Sequence, residues 1–223
     1  MLIADAGFEA RLKEGLQALA SPDAEAYSDV FARFLGLLEK WNRAFNLTAV
    51  REPNEMITRH VLDSLTARRF LHGLSVLDVG TGAGLPGLPL AIVEPQRQFA
   101  LLDAAGKKIR FVQHAVGELA LGNVQVVQSR VENYRPADPF DTVICRAFSS
   151  LQEFVGRCDS LVANGGRLLA MKGRLPKAER AGVPAPWIIT EVVPVSVPGL
   201  VGERHIVVLE RADAERRDRD AEA

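Results

Sequence analysis

The chain has 223 residues, enough for one full domain with a modest extension. Its hydrophobic share of 48% and charged share of 25% are ordinary for a globular protein, and no run approaches the ~20 apolar residues of a membrane-spanning helix. A net charge of −1 excludes a globally basic surface, and two cysteines without C-x-x-C spacing, Cys145 and Cys158, indicate neither a disulfide framework nor a zinc site. Met1-Leu2-Ile3-Ala4-Asp5 carries no signal-peptide pattern, so a cytoplasmic protein is expected.

In chain order, the first segment predicts helices. Phe8, Leu12, Leu16 and Leu19 recur at helical spacing, with Asp5 placed as an N-cap. Ser21-Pro22 supplies a cap and a first-position proline for a second helix. Its stripe of Tyr27, Val30, Phe31, Phe34, Leu37, Leu38 and Trp41 runs to about residue 44. Glu52-Pro53-Asn54 opens a third helix carrying Ile57, Val61, Leu62 and Leu65. Stripes this broad are costly in water, so these helices are expected to dock on the sheet that follows.

From Ser75 the pattern alternates: strand 75–79, helix from about 85, strand 98–102, helix 105–120, strands 124–128 and 140–145, helix 150–163, strand 166–171. That alternation predicts a doubly wound parallel sheet with right-handed crossovers. Two further strand runs, 187–193 and 204–209, are joined through Pro198-Gly199 without a helix and read as an antiparallel hairpin. The expected organisation is a helical extension over 1–72, a core domain over 73–210 and a charged, disordered tail over 211–223.

The chemistry concentrates in Asp78-Val79-Gly80-Thr81-Gly82-Ala83-Gly84-Leu85-Pro86-Gly87. A buried strand ends on an acid and turns through glycines into an apolar helix, so backbone N–H groups can approach a ligand closely. Asp103, closing the next strand, can accept both hydroxyls of a ribose. Together they point to a nucleoside cofactor. Gly82–Gly87 also satisfies G-x-G-x-x-G, so an NAD(P)-dependent oxidoreductase is the alternative. Asp78 argues against it: an anion there would face a pyrophosphate, but suits a cofactor bearing an amino acid and a sulfonium, S-adenosylmethionine. Five parallel strands closed by a hairpin also look like the seven-stranded, Rossmann-like α/β sheet of class I methyltransferases.

Further segments flank this loop: Lys40-Trp41-Asn42, Asn46-Leu47-Thr48, His60-Val61-Leu62-Asp63-Ser64, Leu102-Asp103-Ala104-Ala105-Gly106-Lys107-Lys108, Ser129-Arg130-Val131-Glu132, Arg146-Ala147 and Lys172-Gly173. In this order, from about Leu37 to Gly173, they resemble the bacterial RsmG (GidB) family, which methylates N7 of a guanosine in 16S ribosomal RNA, usually guanosine 527 of the 530 loop. The resemblance implies that Gly80 and Leu85 touch the cofactor, that Val131 and Glu132 flank its adenine, and that Arg146 lies at its methyl-donor end. Gly82, Gly84 and Asp103 join the set on physical grounds. Arg130 and Lys172 are candidates to clamp RNA phosphates, although Arg130 can equally pair with an acid. Phe148 is a candidate to stack on the target base, with core packing as the equal alternative. A monomer acting on the small ribosomal subunit is implied; a non-catalytic RNA-binding factor is the remaining alternative.

Guanine N7 has an in-plane lone pair and no proton, so alignment is required more than a base. Arg146 is therefore expected to position, and no metal is expected. His60 and Asp63, on one helix face, are expected to tie that helix to the cofactor domain by hydrogen bonds. Cys145 and Trp41 are expected to be core residues, and His114 and His205 carry no catalytic signal.

Overall fold

The computed structural model describes residues 6–19, 24–146, 148–175 and 177–212. The Asp5 cap, the Ser21-Pro22 helix start and residues 213–223 of the expected tail lie outside them.

Helix α1 (Ala6–Ala18) and the long α2 (Ala24–Phe45) precede α3 (Pro53–Met56), which leads into a π-helical segment, Ile57–Leu62, and then α4 (Asp63–Leu65). The sequence predicted one regular helix across this last stretch. Instead Ser64 Oγ donates to the His60 carbonyl, 2.5 Å away, and the Asp63 N–H reaches back to the Thr58 carbonyl, widening the turn. The alternating region gives β1 (Ser75–Val79), α5 (Gly87–Val93), β2 (Gln98–Asp103), α6 (Gly106–Glu118), β3 (Val124–Gln128) and β4 (Phe140–Cys145). Then come α7 (Leu151–Cys158), β5 (Val162–Lys172), a short α8 (Lys177–Ala181), β6 (Trp187–Pro194) and β7 (His205–Arg211).

One seven-stranded sheet results, in the order β3-β2-β1-β4-β5-β7-β6. The first five strands run parallel, and β7 lies antiparallel to both β5 and β6. Alternate residues feed two cores. Val76, Leu101, Ile144, Leu169 and Val208 join α5, α6 and the N-terminal helices in one; Leu77, Leu102, Val143, Leu168 and Leu209 join α7 in the other. The N-terminal helices meet the domain chiefly through α5 and α6, not directly on strands as the stripe suggested. Trp41 and Phe34 both pack on Phe111 of α6, with ring centroids 5.8 and 6.5 Å apart.

Two boundaries differ from the sequence reading. Helix α7 stops at Cys158 rather than 163, because the chain passes through a 3-10 turn, Asp159–Leu161, into a longer β5. The tail does not begin at 211: Arg211 belongs to β7, lies 4.7 Å over the Trp187 ring and donates to Asp159 and to the Val162 carbonyl. A charged residue therefore closes the strand by bonding rather than fraying from it.

Candidate active site

The glycine loop is held at both ends. The Gly80 and Thr81 N–H groups donate to the Leu102 carbonyl at 2.8 and 3.0 Å, tying the loop to β2. Asp78, fully buried, accepts from Thr81 Oγ1 at 2.6 Å and from the Gly87 N–H at 2.8 Å, stapling the loop's two ends. Burial pushes its carboxyl up to about 6, with those hydrogen bonds opposing the shift. The sequence reading aimed this acid at the cofactor; the structure seals it beneath the loop.

The loop glycines differ in role. A Cβ on Gly84 would overlap the Leu88 side chain, and one on Gly87 would overlap Leu101 and sit 2.8 Å from Asp78 Oδ2. Both permit close packing. At Gly80, with φ of +70°, a Cβ would meet nothing within 4 Å. That open space belongs to a cavity of about 500 Å³ lined by Gly80, Asp103, Arg130, Val131, Glu132 and Phe148. It lies at the carboxyl ends of the parallel strands, beside the reversal of strand order between β1 and β4.

Inside it, Asp103 is oriented by two backbone donors, Gly82 N–H to Oδ2 at 2.9 Å and Ala105 N–H to Oδ1 at 2.8 Å, with Lys108 Nζ 3.7 Å from Oδ2. Each carboxylate oxygen keeps a second lone pair for a ligand hydroxyl. Glu132 pairs with Arg157 at its rim. Phe148 is half-buried and tilted on Phe154, ring centroids 5.2 Å apart, so it packs, as one of the two sequence alternatives expected, and it also lines the cavity. Arg130 is exposed, and its side chain has no partner among the described residues. Gly82, Gly84 and Leu85 do not line the cavity; Leu85 is a core residue whose N–H is bonded to the Thr81 carbonyl. Glycine acceptance of a nucleoside, a paired acid for its ribose, and an apolar wall at Val131 and Phe148 all fit an adenosyl group.

Arg146 and Lys172 line a second, adjacent cavity of about 390 Å³, with His60, Asp63, Arg59 and Arg204. Arg146 Nη1 donates to the Arg59 carbonyl at 3.0 Å and to Asp63 Oδ2 at 3.3 Å, while Arg204 Nε donates to Asp63 Oδ1 at 3.1 Å. Asp63 thus ties the helical segment to the cofactor domain. His60 does not: its Nε2 meets Thr48 Oγ1 at 3.1 Å, within the N-terminal region, and burial, helped by Arg146, lowers it to about 4. Lys172 is no free phosphate clamp, because its mostly buried ammonium bonds Glu179 at 2.8 Å and the Phe148 carbonyl at 2.9 Å. The sequence reading missed Arg59 and Arg204; neither sits in a motif, and only the fold brings them beside Asp63. A larger cavity, about 780 Å³, is lined by Leu71, Glu94 and Pro194 and shares Thr66 and Val195 with the second one; in it Glu94 is taken up by Arg68 and Arg97.

Five parallel strands, a closing antiparallel hairpin and a glycine loop at the strand-order reversal define the class I methyltransferase fold. The glycopeptide N-methyltransferase MtfA, solved with S-adenosyl-L-methionine, shares it with a TM-score of 0.56 at 12% identity, over 67% of this chain and 94% of that one. Residues 28–207 match the family model described as rRNA small subunit methyltransferase G, GidB. Ribosomal RNA small subunit methyltransferase G of Idiomarina loihiensis is 48% identical over 188 residues, covering 84% of this chain and 91% of the relative. That of Klebsiella pneumoniae is 51% identical over 177 residues, covering 79% and 86%. The chain belongs to this family of small-subunit ribosomal RNA methyltransferases.

Proposed function

We propose that this protein transfers a methyl group from S-adenosylmethionine to N7 of a guanosine in 16S ribosomal RNA, guanosine 527 being the target implied by the sequence resemblance. The observation that carries the cofactor assignment is the cavity that unites Gly80, Asp103, Val131 and Glu132. Gly80 admits the nucleoside against the backbone, Asp103 accepts the ribose hydroxyls, and Val131 with Glu132 flanks the adenine. Bound there, the cofactor supplies an electrophilic methyl on a sulfonium. Arg146, at the end of β4 and held by Asp63, marks the side from which the base approaches, and Phe148 offers it a ring face.

No side chain is needed to remove a proton from N7. His60 is buried, neutral and bonded to Thr48. Catalysis then rests on alignment of donor methyl and lone pair. A monomer working in the cytoplasm completes the reading. No helix among the described residues is long and apolar enough to cross a membrane.

The test is transfer of labelled methyl from S-adenosylmethionine to small subunits that lack the modification, followed by identification of the labelled nucleoside. Labelled 7-methylguanosine at one position, lost in Arg146→Ala, is the expected result. Label in another nucleoside overturns the N7 assignment. Absence of label despite intact S-adenosylhomocysteine binding overturns the activity.

A further inference from the structure

The second cavity is more than a seam between helices and sheet. Three arginines, Arg59, Arg146 and Arg204, line it against a single lining carboxylate, Asp63. Asp63 fixes two of them through its separate oxygens, at 3.3 Å from Arg146 Nη1 and 3.1 Å from Arg204 Nε. Arg204 Nη1 also donates to the Glu203 carbonyl at 2.8 Å. A guanidinium carries five N–H donors in a planar fork, so these bonds leave Nε and Nη2 of Arg146 and Nη2 of Arg204 without a described partner. Arg59 adds a third charge, and its ion pair with Glu55 is a loose 3.7 Å contact.

The charge count is lopsided. Even with Glu55 counted beside Asp63, two carboxylates against three guanidiniums leave one positive charge in a concave site, where low-dielectric walls focus the field. Lys172 is already neutralised by Glu179, and His60 adds no charge near neutral pH because burial holds it uncharged. Planar forks with unused donors match the oxygens of a phosphate group.

Position supplies the second argument. Lys172 Nζ, in the wall of this cavity, donates to the carbonyl of Phe148, which lines the cofactor cavity. Arg146 and Phe148 are two residues apart and line one cavity each, so the two sites lie within about 7 Å along the backbone. That is about one nucleotide's reach from the methyl donor.

Given the proposed RNA-methylating function, we infer that this cavity holds a backbone phosphodiester of the RNA next to the target nucleotide, clamped by Arg204 and Arg59 beside Arg146. The contact positions the strand while the neighbouring base enters toward Phe148.

The test compares the wild-type chain with Arg204→Gln and Arg59→Gln. Affinity for unmodified small subunits is measured across salt concentrations, methyl transfer is measured on the same particles, and S-adenosylhomocysteine binding is measured separately. Each variant is expected to weaken subunit binding and raise KM about tenfold, and to lower the log–log salt slope by about 1 per lost contact. S-adenosylhomocysteine affinity should be retained. Unchanged subunit affinity and salt slope in both variants overturn the inference. Arg59→Gln, whose side chain is exposed, keeps the test decisive if Arg204→Gln loosens the fold. If inorganic phosphate raises the wild-type melting temperature but not that of the variants, while subunit affinity is equal in all three, the cavity takes a free anion and the RNA assignment falls. Subunit binding with the expected slope but no methyl transfer by the wild type leaves the clamp standing and removes the proposed activity instead.

Discussion

Replacing Gly80 with alanine separates the cost of backbone strain from the cost of filling the cofactor cavity. Gly80 sits at φ +70°, where an L-residue is strained, yet its Cβ would meet nothing within 4 Å. The strain is worth about 1–2 kcal/mol. For a chain of this size, each kcal/mol lowers the melting temperature by roughly 2–4 °C. The protein should therefore fold, slightly destabilised, with a methyl group projecting into the cavity of about 500 Å³. Loss of close backbone approach should weaken S-adenosylhomocysteine binding at least tenfold, about 1.4 kcal/mol. Gly87→Ala is the contrast: its Cβ would overlap Leu101 and crowd Asp78 Oδ2, so it should cost about 1–3 kcal/mol through overpacking in addition to disturbing the loop's staple. Calorimetric titration with S-adenosylhomocysteine, alongside thermal unfolding of both variants, reads the two effects separately. Wild-type affinity in Gly80→Ala would refute the placement of the cofactor. A destabilisation in Gly80→Ala well beyond the strain of about 1–2 kcal/mol would refute the claim that Gly80 borders open space.

Four other positions give further expected outcomes. Asp63→Ala leaves the Arg146 and Arg204 guanidiniums facing each other unpaired, and should cost about 3 kcal/mol in urea unfolding; Asp63→Ala combined with Arg204→Met should recover part of that loss, and no recovery would show that the charges are not coupled. Burial lowers His60 to about 4 in the folded chain against the usual 6.5, so the unfolded chain takes up a proton that the native state refuses and stability falls as pH drops from 6.5 toward 4. Asp78 works in the opposite sense: burial raises it to about 6 in the folded chain, above the usual 3.8, so its contribution is present below 3.8 and lost as pH rises through 6. His60→Gln should gain on the wild type by about 3 kcal/mol between pH 7 and 4, and Asp78→Asn should gain a similar amount between pH 4 and 8; flat differences in urea midpoints would refute both assignments. Arg130→Gln, at an exposed residue without a side-chain partner among those described, should leave stability within about 0.5 kcal/mol and reduce the salt slope of subunit binding by about 1. An unchanged slope would remove Arg130 from the RNA surface.

Local pattern carried much of this protein. Alternating apolar runs fixed the parallel strands, and the absence of a helix between Trp187 and Leu209 identified the hairpin, because side-chain period and turn chemistry are written within a few residues. The glycine spacing and the acid at Asp103 marked the loop that borders the cavity for the same reason. What each loop residue does was not legible. Gly80 opens on a cavity while Gly84 and Gly87 accept neighbouring side chains, a distinction set by Leu88 and Leu101 arriving from α5 and β2. The same holds for charge. Lys172 reads as a free cation until Glu179 of α8 reaches it, and Asp78 reads as a ligand until the loop folds over it. Arg59, Arg146 and Arg204 are scattered across the sequence, and only the sheet order and the π-helical turn bring them together around Asp63. Sequence determined the elements because hydrophobic periodicity is local; the tertiary structure alone decided which charges are neutralised and which face open space, because pairing and burial depend on partners distant in the chain.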